Sequence, residues 1–371
     1  MTIHSYSSGT GFSTPRVVGT GLVALDVLLQ GENCPSDSAL GGTTGNVLAI
    51  LAFLGWSVVP VARLGKDMAG QRIKSEFAAL NADTRFITQE DSTATPVVYQ
   101  WPGENGKTHK FSFSCPFCGS KRSFVPGNDT IYCMHVLEHV DTTDVFYFDR
   151  VTPWALVLAE TYRRRGALVM FEPSAVDADS AAFQQAIRCC NILKYADDRI
   201  VQLRSFDRHM VDVEVQTLGA DGLLFRLPSS EDLRWRKLDA LRISNIADTA
   251  GAGDWCTAGL LYYLGAKPIK GDMTVARLVK GLRYGQTLAA LNCMHPGARG
   301  LARLIDEHMV KNKLIQLFNE ELFNSNCSSS WAPAHSSFLE LSRAGSIKQV
   351  VTHPNRSKEC SLHLCCGPLT N

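Results

Sequence analysis

The stretch Asp248-Thr249-Ala250-Gly251-Ala252-Gly253-Asp254 is followed directly by an apolar segment, residues 255–264. A loop of small residues that opens a helix leaves backbone N–H groups unpaired, and the positive end of the helix dipole lies at the same place. Such a loop favours an anion, and Gly251 and Gly253 allow a phosphate to approach the backbone closely. Asp254 stands at the start of the helix, where a carboxylate can take a proton from an attacking hydroxyl. A structural Asp N-cap after a glycine-rich turn is the alternative interpretation of a bare G-x-G-D.

Segments typical of strands and helices alternate on both sides of this loop. A continuous apolar stretch over 17–29 predicts one strand buried on both faces, and 45–54 predicts the following helix. The same patterns predict strands at 57–64, 145–149, 168–172, 191–194, 211–218 and 222–227, and helices at 69–80, 153–165, 180–190, 254–264, 274–292 and 301–323. Segments 95–101 and 107–114 predict a hairpin. This order is typical of a mostly parallel sheet flanked by helices.

Composition and charge exclude several classes of protein. The chain has 371 residues, of which 45% are hydrophobic and 20% charged, so it is not a disordered chain. Lys and Arg total 37 against 36 Asp and Glu, which predicts no nucleic-acid partner and no binding to an acidic membrane surface. The longest apolar run, 47–62, contains Gly55 and Pro60 and is too short to span a bilayer. Residues 1–16 contain no apolar leader-like segment, so the expected location is the cytoplasm.

Four motifs in order resemble those of the PfkB, or ribokinase-like, carbohydrate kinase family. The stretch 248–254 matches that family's D-T-x-G-A-G-D signature, and 41–46 (GGTTGN) is similar to its GG-x-x-x-N segment. Residues 63–70 (RLGKDMAG) resemble R-x-G-x-D-x-x-G, and 217–222 (TLGADG) resemble T-x-G-x-x-G. The resemblance covers about 17–300. It implies an α/β fold, a three-layer α/β/α sandwich with a small β-sheet lid, and ATP-dependent phosphorylation of a hydroxyl on a sugar or nucleoside-like small molecule.

The resemblance also implies site residues and cofactors. Asp254 would be the catalytic base, and the N–H groups of Gly251, Ala252 and Gly253 would form the anion hole. The sugar side would consist of Asp26, Gly42 and Asn46, and the nucleotide side of Thr217, Gly219 and Gly222. A strand-end Asp in a turn and a helix-capping Asn are the structural alternatives for Asp26 and Asn46. ATP and Mg2+ are implied as cofactors, with a monovalent cation as a further candidate, and lids of this family often mediate homodimers.

Two departures from the family pattern concern the metal. The family commonly has N-x-x-E after the strand that corresponds to 191–194, and here Ala196 and Arg199 stand at those two positions. Asp197 and Asp198 are nearby carboxylates that fit a shifted register, and Glu172 precedes Pro173 where the family has D-P-N. These departures leave a second hypothesis open, in which the protein is a non-catalytic member that senses a sugar or nucleotide or binds a partner.

The twelve cysteines are unusual for a reducing compartment. Cys115-Pro116-Phe117-Cys118-Gly119 has the spacing of a zinc knuckle, which supplies two of the four ligands of a structural zinc; two free thiols in a loop are the alternative. Candidates for the other ligands are Cys133, His135 and His139, or Cys360, Cys365 and Cys366. Four further cysteines are predicted to be core residues: Cys189, Cys190, Cys256 and Cys293. The predicted organisation is a kinase domain over 17–323, with lid segments at about 27–42 and 93–132 that include a Cys-containing insertion, 115–132, and then a linker and Cys-rich tail, 324–371.

Overall fold

The alternation of strands and helices that the sequence predicts is present in the computed structural model, which describes residues 14–30, 34–102, 109–116, 118–174, 180–197, 211–228, 233–243, 245–265 and 273–304. The strands are β1 (Arg16–Thr20), β2 (Ala24–Gln30), β3 (Cys34–Gly41), β4 (Ser57–Gly65), β5 (Ile87–Glu90), β6 (Val97–Pro102), β7 (His109–Ser112), β8 (Val145–Phe148), β9 (Leu168–Phe171), β10 (Ile192–Ala196), β11 (Val213–Thr217), β12 (Leu223–Arg226) and β13 (Arg236–Leu238). The helices are α1 (Thr43–Phe53), α2 (Met68–Ala79), α3 (Thr130–His139), α4 (Pro153–Arg164), α5 (Ala181–Cys189), α6 (Ala252–Gly265), α7 (Val275–Cys293) and α8 (Gly300–Leu304).

Within the described part of the chain, nine strands form one large sheet in the order β13-β12-β11-β10-β9-β8-β1-β4-β5. The strands from β11 to β5 in that order are parallel, and β12 and β13 are antiparallel additions at one edge. Every residue of β8 and β9 is buried, which requires cover on both faces of the sheet. Residues of α1, α6 and α7 belong to the apolar core on one face, and residues of α3, α4 and α5 to the core on the other. The predicted three-layer α/β/α sandwich is confirmed.

A second, four-stranded sheet has the order β3-β2-β6-β7. The predicted hairpin is confirmed, because β6 and β7 pair in antiparallel register. Sequence patterns did not reveal β3, which begins with Cys, Pro, Ser and Asp and contains no apolar alternation, or the short edge strands β5 and β13. Helix α3, which follows the second lid segment, packs on the large sheet's outer layer with α4 instead of joining the small sheet.

The prediction of one strand over 17–29 is wrong. The chain leaves the large sheet after Thr20 and enters the small sheet at Ala24. Gly21 makes this crossing with φ 142°, and the N–H of Leu22 donates to Asp149 Oδ1 at 2.8 Å. Because residues on both sides of the crossing are buried, the apolar run is continuous and the pattern contains no sign of the break.

Several predictions fall on residues that the structure does not describe. Helix α8 covers the start of the helix predicted over 301–323, and 305–323 and the tail 324–371 lie outside the described residues. Among the helices that the structure describes, none combines the length and apolar character that crossing a membrane requires.

Candidate active site

The candidate active site lies at the carboxyl ends of the parallel strands, the edge at which open α/β sheets bind ligands. Asp149 and Glu172 directly follow β8 and β9, and Thr217 ends β11. The loop 248–251 leads into α6, and Asp254 lies in the first turn of that helix. The edge therefore collects carboxylates, a threonine hydroxyl and a helix N-terminus.

Asn46 and Asp254 are in direct contact. Asn46 Nδ2 donates a hydrogen bond of 2.9 Å to Asp254 Oδ2. Asn46 lies in the first turns of α1 and is 4% exposed, and its Oδ1 is buried without a hydrogen-bond partner among the described residues. A buried acceptor without a partner costs free energy unless a ligand supplies a donor. Asn46 and Asp254, which the sequence predicts separately, thus present a carboxylate and an unpartnered amide oxygen side by side.

Asp26 lies beside the start of α1. The N–H of Gly42 donates to Asp26 Oδ1 at 3.2 Å, and Gly42 has φ 76°. A Cβ atom at Gly41 would lie 2.0 Å from the Asp26 carboxyl group, so a side chain there would displace that group. Burial raises the pKa of Asp26 to about 7, against the opposing effects of Arg299 and of the Gly42 N–H. Asp26 therefore changes its charge near neutral pH.

Arg299 is a residue of this region that sequence reasoning missed. Its guanidinium donates to the carbonyl oxygen of Leu40 and lies 3.5 Å from Glu76 Oε2. Glu76 in turn accepts from the N–H of Leu40 at 2.9 Å. The Arg299 guanidinium is thereby fixed to strand β3 close to Asp26. An arginine in the loop between α7 and α8 carries no pattern that would mark it in the sequence.

The loop that precedes α6 is fixed by hydrogen bonds within the loop and to residues 297–298. Asp248 Oδ1 accepts from the N–H of Ala250 and Asp248 Oδ2 from the N–H of Gly297, both at 2.8 Å. Gly251 has φ 72°, and a Cβ atom there would lie 2.2 Å from the carbonyl oxygen of Ala298. Trp255 Nε1 donates to that same oxygen at 3.0 Å. The loop therefore has a fixed backbone conformation before any ligand binds.

The opposite face of the loop is open. A Cβ atom at Gly253 would have no heavy atom of the described residues within 4 Å, and Gly253 is exposed. The N–H of Ala252 donates to the carbonyl oxygen of Thr249 at 3.3 Å, so it is directed into the turn. The space in front of Gly253, at the positive end of α6, suits an anion better than the surroundings of Ala252 do.

A buried ion pair lies next to Asp254. Lys194, which is 2% exposed, contacts Glu172 Oε1 through its Nζ, and Glu172 Oε2 accepts from Thr257 at 2.6 Å and from Tyr147 at 3.2 Å. Burial alone would lower the pKa of Lys194, but the charge and hydrogen bond of Glu172, together with Cys256 and Asp254, outweigh it and raise that pKa. Sequence reasoning missed Lys194, although a lysine inside a buried strand was the available signal.

The same neighbours determine the basicity of Asp254. Burial, and then the Glu172 carboxylate, raise the pKa of Asp254 well above its usual range. The hydrogen bond from Asn46 and the charge of Lys194 act in the opposite direction. A carboxylate with a raised pKa is a stronger base than an ordinary aspartate, and general-base catalysis requires this property.

The predicted nucleotide-side residues lie in the turn between β11 and β12. Gly219 has φ 56°, Gly222 has φ 94°, and a Cβ atom at Gly222 would lie 2.1 Å from the carbonyl oxygen of Leu238. Thr217 Oγ1 donates to the carbonyl oxygen of Tyr195 at 3.4 Å. Gly219 is exposed and open. The turn requires its glycines for backbone reasons, and it follows β11 at the same sheet edge as Asp254.

Of the two positions at which the sequence departs from N-x-x-E, the structure describes one. Ala196 is the last residue of β10, at the same edge, whereas Asp198 and Arg199 lie outside the described residues. Asp197 is exposed, and its N–H donates to the carbonyl oxygen of Thr217 at 3.1 Å. Both oxygens of Glu172 already accept from protein donors. Of these two carboxylates, Asp197 therefore has the better chemistry for Mg2+, which binds one or two carboxylates and keeps waters and phosphate oxygens as its other ligands.

The R-x-G-x-D-x-x-G stretch connects the two sheets. Arg63 donates to both Glu90 oxygens, at 2.9 and 2.7 Å. Asp67 caps α2 by accepting from Gly70, and it also accepts from the N–H of Thr95 and from Arg122 at 3.0 Å. These contacts are structural, and they fasten the start of the second lid segment to α2.

The Cys115–Cys118 turn has part of the geometry of a knuckle. Gly119 has φ 74° and donates to the carbonyl oxygen of Cys115 at 2.9 Å; Cys115 is buried and Cys118 exposed. Within the described ranges, no third ligand groups with this pair. Cys133 is wrong as a further ligand, because it is fully buried and packs against Trp154. Cys360, Cys365 and Cys366 lie outside the described residues. The prediction of core positions for Cys189, Cys190, Cys256 and Cys293 is confirmed.

Known proteins share this architecture. No family model and no curated protein matches the sequence. Many solved structures match, and three of them have a TM-score of 0.61 each. Aminoimidazole riboside kinase from Salmonella enterica, complexed with aminoimidazole riboside and an ATP analogue, is 19% identical, with 81% of this chain and 99% of that chain covered. A fructokinase double mutant from Vibrio cholerae, bound to fructose, ADP and potassium, is 18% identical with 79% and 96% covered.

The third is fructokinase with bound ATP from Xylella fastidiosa, which is 16% identical with 89% of this chain and 99% of that chain covered. The match extends over nearly the whole length of each kinase. The fold implied by the PfkB-like motifs is confirmed: the chain has the ribokinase-like fold of these sugar and nucleoside kinases.

Proposed function

We propose that this protein is an ATP-dependent kinase that phosphorylates a hydroxyl of a sugar or nucleoside-like small molecule. The observation that carries the proposal is the pairing of Asn46 with Asp254, which leaves a basic carboxylate and an unpartnered amide oxygen next to an open helix N-terminus. Two of the similar structures hold an acceptor with a nucleotide, a riboside with an ATP analogue and fructose with ADP, and the third holds ATP, which supports the same pair of substrates here.

In the proposed reaction, Asp254 is the general base. The acceptor hydroxyl donates its proton to the Asp254 carboxylate while its oxygen bonds to the γ-phosphorus of ATP and the bond between that phosphorus and the bridging oxygen breaks, which releases ADP. The N–H groups of Gly251 and Gly253 would stabilise the charge on the transferred phosphoryl group, with a smaller part for Ala252 because its N–H is directed to Thr249.

Asp26, Gly42 and Asn46 would bind the acceptor. A carboxylate accepts from two hydroxyls, and the unpartnered Asn46 Oδ1 accepts from another, so the set is suited to a molecule with several neighbouring hydroxyls. Thr217, Gly219 and Gly222 would border the nucleotide on the far side of the loop. Closure of the small sheet over the acceptor would exclude water and so limit ATP hydrolysis.

Mg2+ would be held by the phosphates of ATP, by water and by Asp197. When bound, it neutralises phosphate charge as the phosphoryl group is transferred. A monovalent cation is part of the same proposal, since a potassium ion is present in one of the similar fructokinase structures. A homodimer through the small sheet is proposed as well: Phe111 on edge strand β7 is 53% exposed. Light scattering of the purified chain tests this state directly.

Asp254→Asn tests the proposal. We expect kcat to fall by about 10²–10⁴-fold, because the amide cannot accept the proton, while ATP binding stays within a small factor of the parent. The acceptor is identified first by screening a metabolite panel for ATP consumption. If a true acceptor is turned over by Asp254→Asn within a few fold of the parent rate, Asp254 is not the base.

A second candidate function is ligand sensing without catalysis. The smaller number of metal ligands favours it. Lys194 donates a hydrogen bond to the Glu172 carboxylate, and Ala196 stands where an asparagine is usual, so fewer side-chain oxygens are available to a metal ion. A sensor would be stabilised against heat by a sugar or nucleotide and would consume no ATP with any acceptor. Turnover of any one acceptor would support the kinase and exclude a purely non-catalytic sensor.

A further inference from the structure

Helix α3 presents two histidines and a glutamate on its exposed surface, separate from the candidate active site. The sequence there is His135-Val136-Leu137-Glu138-His139. One ligand atom from each of His135, Glu138 and His139 lies within 4.8 Å of the others, and all three side chains are exposed. The spacings of three and four residues place the side chains on one face of the helix.

The two imidazoles are already close to each other. Their ring centroids are 4.3 Å apart, and the buried Phe86 ring lies 5.8 Å from the ring of His135 and 6.2 Å from that of His139. A bound metal at about 2.0–2.2 Å from each ligand brings neighbouring ligand atoms to about 3–3.5 Å from each other. Small rotations of exposed side chains provide this change.

The tautomer of His139 is suited to metal binding. Its Nδ1 lies 2.9 Å from the carbonyl oxygen of His135. Because a carbonyl oxygen only accepts, Nδ1 carries the hydrogen and Nε2 carries the free lone pair of the neutral ring. Histidines that bind a metal through one ring nitrogen usually donate from the other to such an oxygen, which fixes the tautomer and the ring orientation.

The helix itself is anchored, so the three ligands do not depend on a flexible support. Cys133, Val136 and Leu137 are buried in the core on the opposite side of α3. Asp129 caps the helix by accepting from the N–H of Ile131 at 2.8 Å, and its carbonyl oxygen accepts from Trp154 Nε1 at 2.7 Å. On the protein's side, binding therefore needs to order only the three side chains and not the helix.

We propose that His135, Glu138 and His139 form a surface binding site for a late divalent transition metal of the Zn2+ or Ni2+ class. Two imidazoles and one carboxylate match the donor preference of these ions, and water completes the coordination. The H-x-x-E-H spacing also occurs in the active sites of a class of zinc peptidases. In this protein all three side chains are on an exposed helix surface, so the site is one for binding. It is independent of the proposed kinase activity and of the Cys115–Cys118 pair.

Ni2+ titration by calorimetry tests the site, with the full untagged chain and a reductant that does not bind metal. We expect the parent to bind about one Ni2+ more per chain than His135→Ala/His139→Ala, and Glu138→Gln to bind that ion more weakly than the parent. We also expect Ni2+ to raise the Tm of the parent more than that of the double variant, because a ligand stabilises the state that binds it.

Two matched variants separate this site from others. Met134→Ala changes an exposed residue of the same helix, 55% exposed, and should retain the ion. Cys115→Ser/Cys118→Ser removes the knuckle thiols and should also retain it. Equal stoichiometry and affinity in the parent and in His135→Ala/His139→Ala would overturn the proposal, as would a parent that binds no Ni2+. Far-UV circular dichroism confirms that each variant is folded.

Discussion

Asn46 and Asp254 are 208 residues apart in sequence and are joined by a hydrogen bond of 2.9 Å. The first turns of α1 and α6 meet there, so that the two halves of the chain each contribute one partner. The bond stabilises the charged form of Asp254 and therefore opposes the increase in pKa that burial and Glu172 cause.

Removal of the bond should change the pH dependence of the reaction. In Asn46→Ala the pKa of Asp254 rises further, so the carboxylate is protonated at a higher pH and the acid limb of the kcat profile moves to higher pH. We expect KM for the acceptor to increase as well, because the unpartnered Oδ1 is lost. The measurement is kcat and KM against pH with the identified acceptor.

Asn191→Ala is the matched control for that experiment. Asn191 Nδ2 donates to Asp212 at 2.8 Å, a similar pair at the opposite end of β10. Its removal should leave the acid limb unchanged. An unshifted limb in Asn46→Ala would show that the bond does not tune the base.

Two glycines of the loop before α6 should respond differently to alanine. At Gly251 the added Cβ meets a carbonyl oxygen at 2.2 Å and the backbone has φ 72°, so Gly251→Ala should lower the Tm. At Gly253 the added Cβ meets open space, so Gly253→Ala should keep the parental Tm or increase it slightly, since alanine favours a helix.

The activity of Gly253→Ala distinguishes an anion hole from a structural turn. If the transferred phosphoryl group occupies the space in front of Gly253, the methyl group blocks it and kcat falls by about 10²–10³-fold. Thermal melts give the Tm and turnover assays give kcat, both from the same preparation. A stable Gly253→Ala enzyme with parental kcat would exclude the phosphoryl group from that space.

The buried, ionised carboxylate of Asp26 should lower the free energy of unfolding, although the same group is proposed to bind the acceptor. Its pKa in the folded protein is about 7, above the ordinary value of 3.8. The folded state therefore holds a proton that the unfolded chain has lost between these values, and the stability from this group is lost as the pH rises through about 7. Asp26→Asn removes the buried charge, so we expect its Tm at pH values well above 7 to exceed that of the parent by several degrees.

The increase in Tm should vanish in acid, where the Asp26 carboxyl is protonated in the parent too. Asp91→Asn is the control, because Asp91 is 81% exposed and its charge has little effect on stability. Acceptor KM should increase in Asp26→Asn. A parental KM would remove Asp26 from the binding site, and a Tm below that of the parent at high pH would contradict the expected sign.

The knuckle pair predicts zinc. Cys115 and Cys118 would supply two ligands, and no third His, Cys, Asp or Glu groups with them among the described residues, so the prediction requires further ligands from outside the described ranges, from a second chain or from water. Metal analysis of protein purified without a histidine tag should find at least about half an equivalent of zinc, lost in Cys115→Ser/Cys118→Ser. A smaller amount in the parent would mean that the thiols are without metal.

Most of the large sheet was predictable, because its strands are continuous apolar runs and its helices have regular apolar spacing. The error at 17–29 arose because apolar periodicity reports burial and not which sheet buries a residue. The crossing at Gly21 depends on Asp149, which lies 127 residues along the chain from its partner Leu22, and no local pattern contains that contact.

The candidate site was predictable where a residue belongs to a motif, as Asp254, Gly253 and Asn46 do. Arg299 and Lys194 belong to no motif, and a single charged residue gives no periodic signal, although the position of Lys194 inside an apolar strand was a local clue. The open oxygen of Asn46 could not be predicted either, since it depends on which side of the amide meets Asp254 in three dimensions.

Asp149 couples the small sheet to helix α1 and to the large sheet. Its Oδ1 accepts from the N–H of Leu22 and from the hydroxyl of Thr44, each at 2.8 Å, and Arg150 pairs with its Oδ2. One buried carboxylate thus clamps both the root of β2 and the first turn of α1 to the end of β8. A displacement of β2 relative to β8 would therefore also strain the hydrogen bond that holds the start of α1, the helix that carries Asn46.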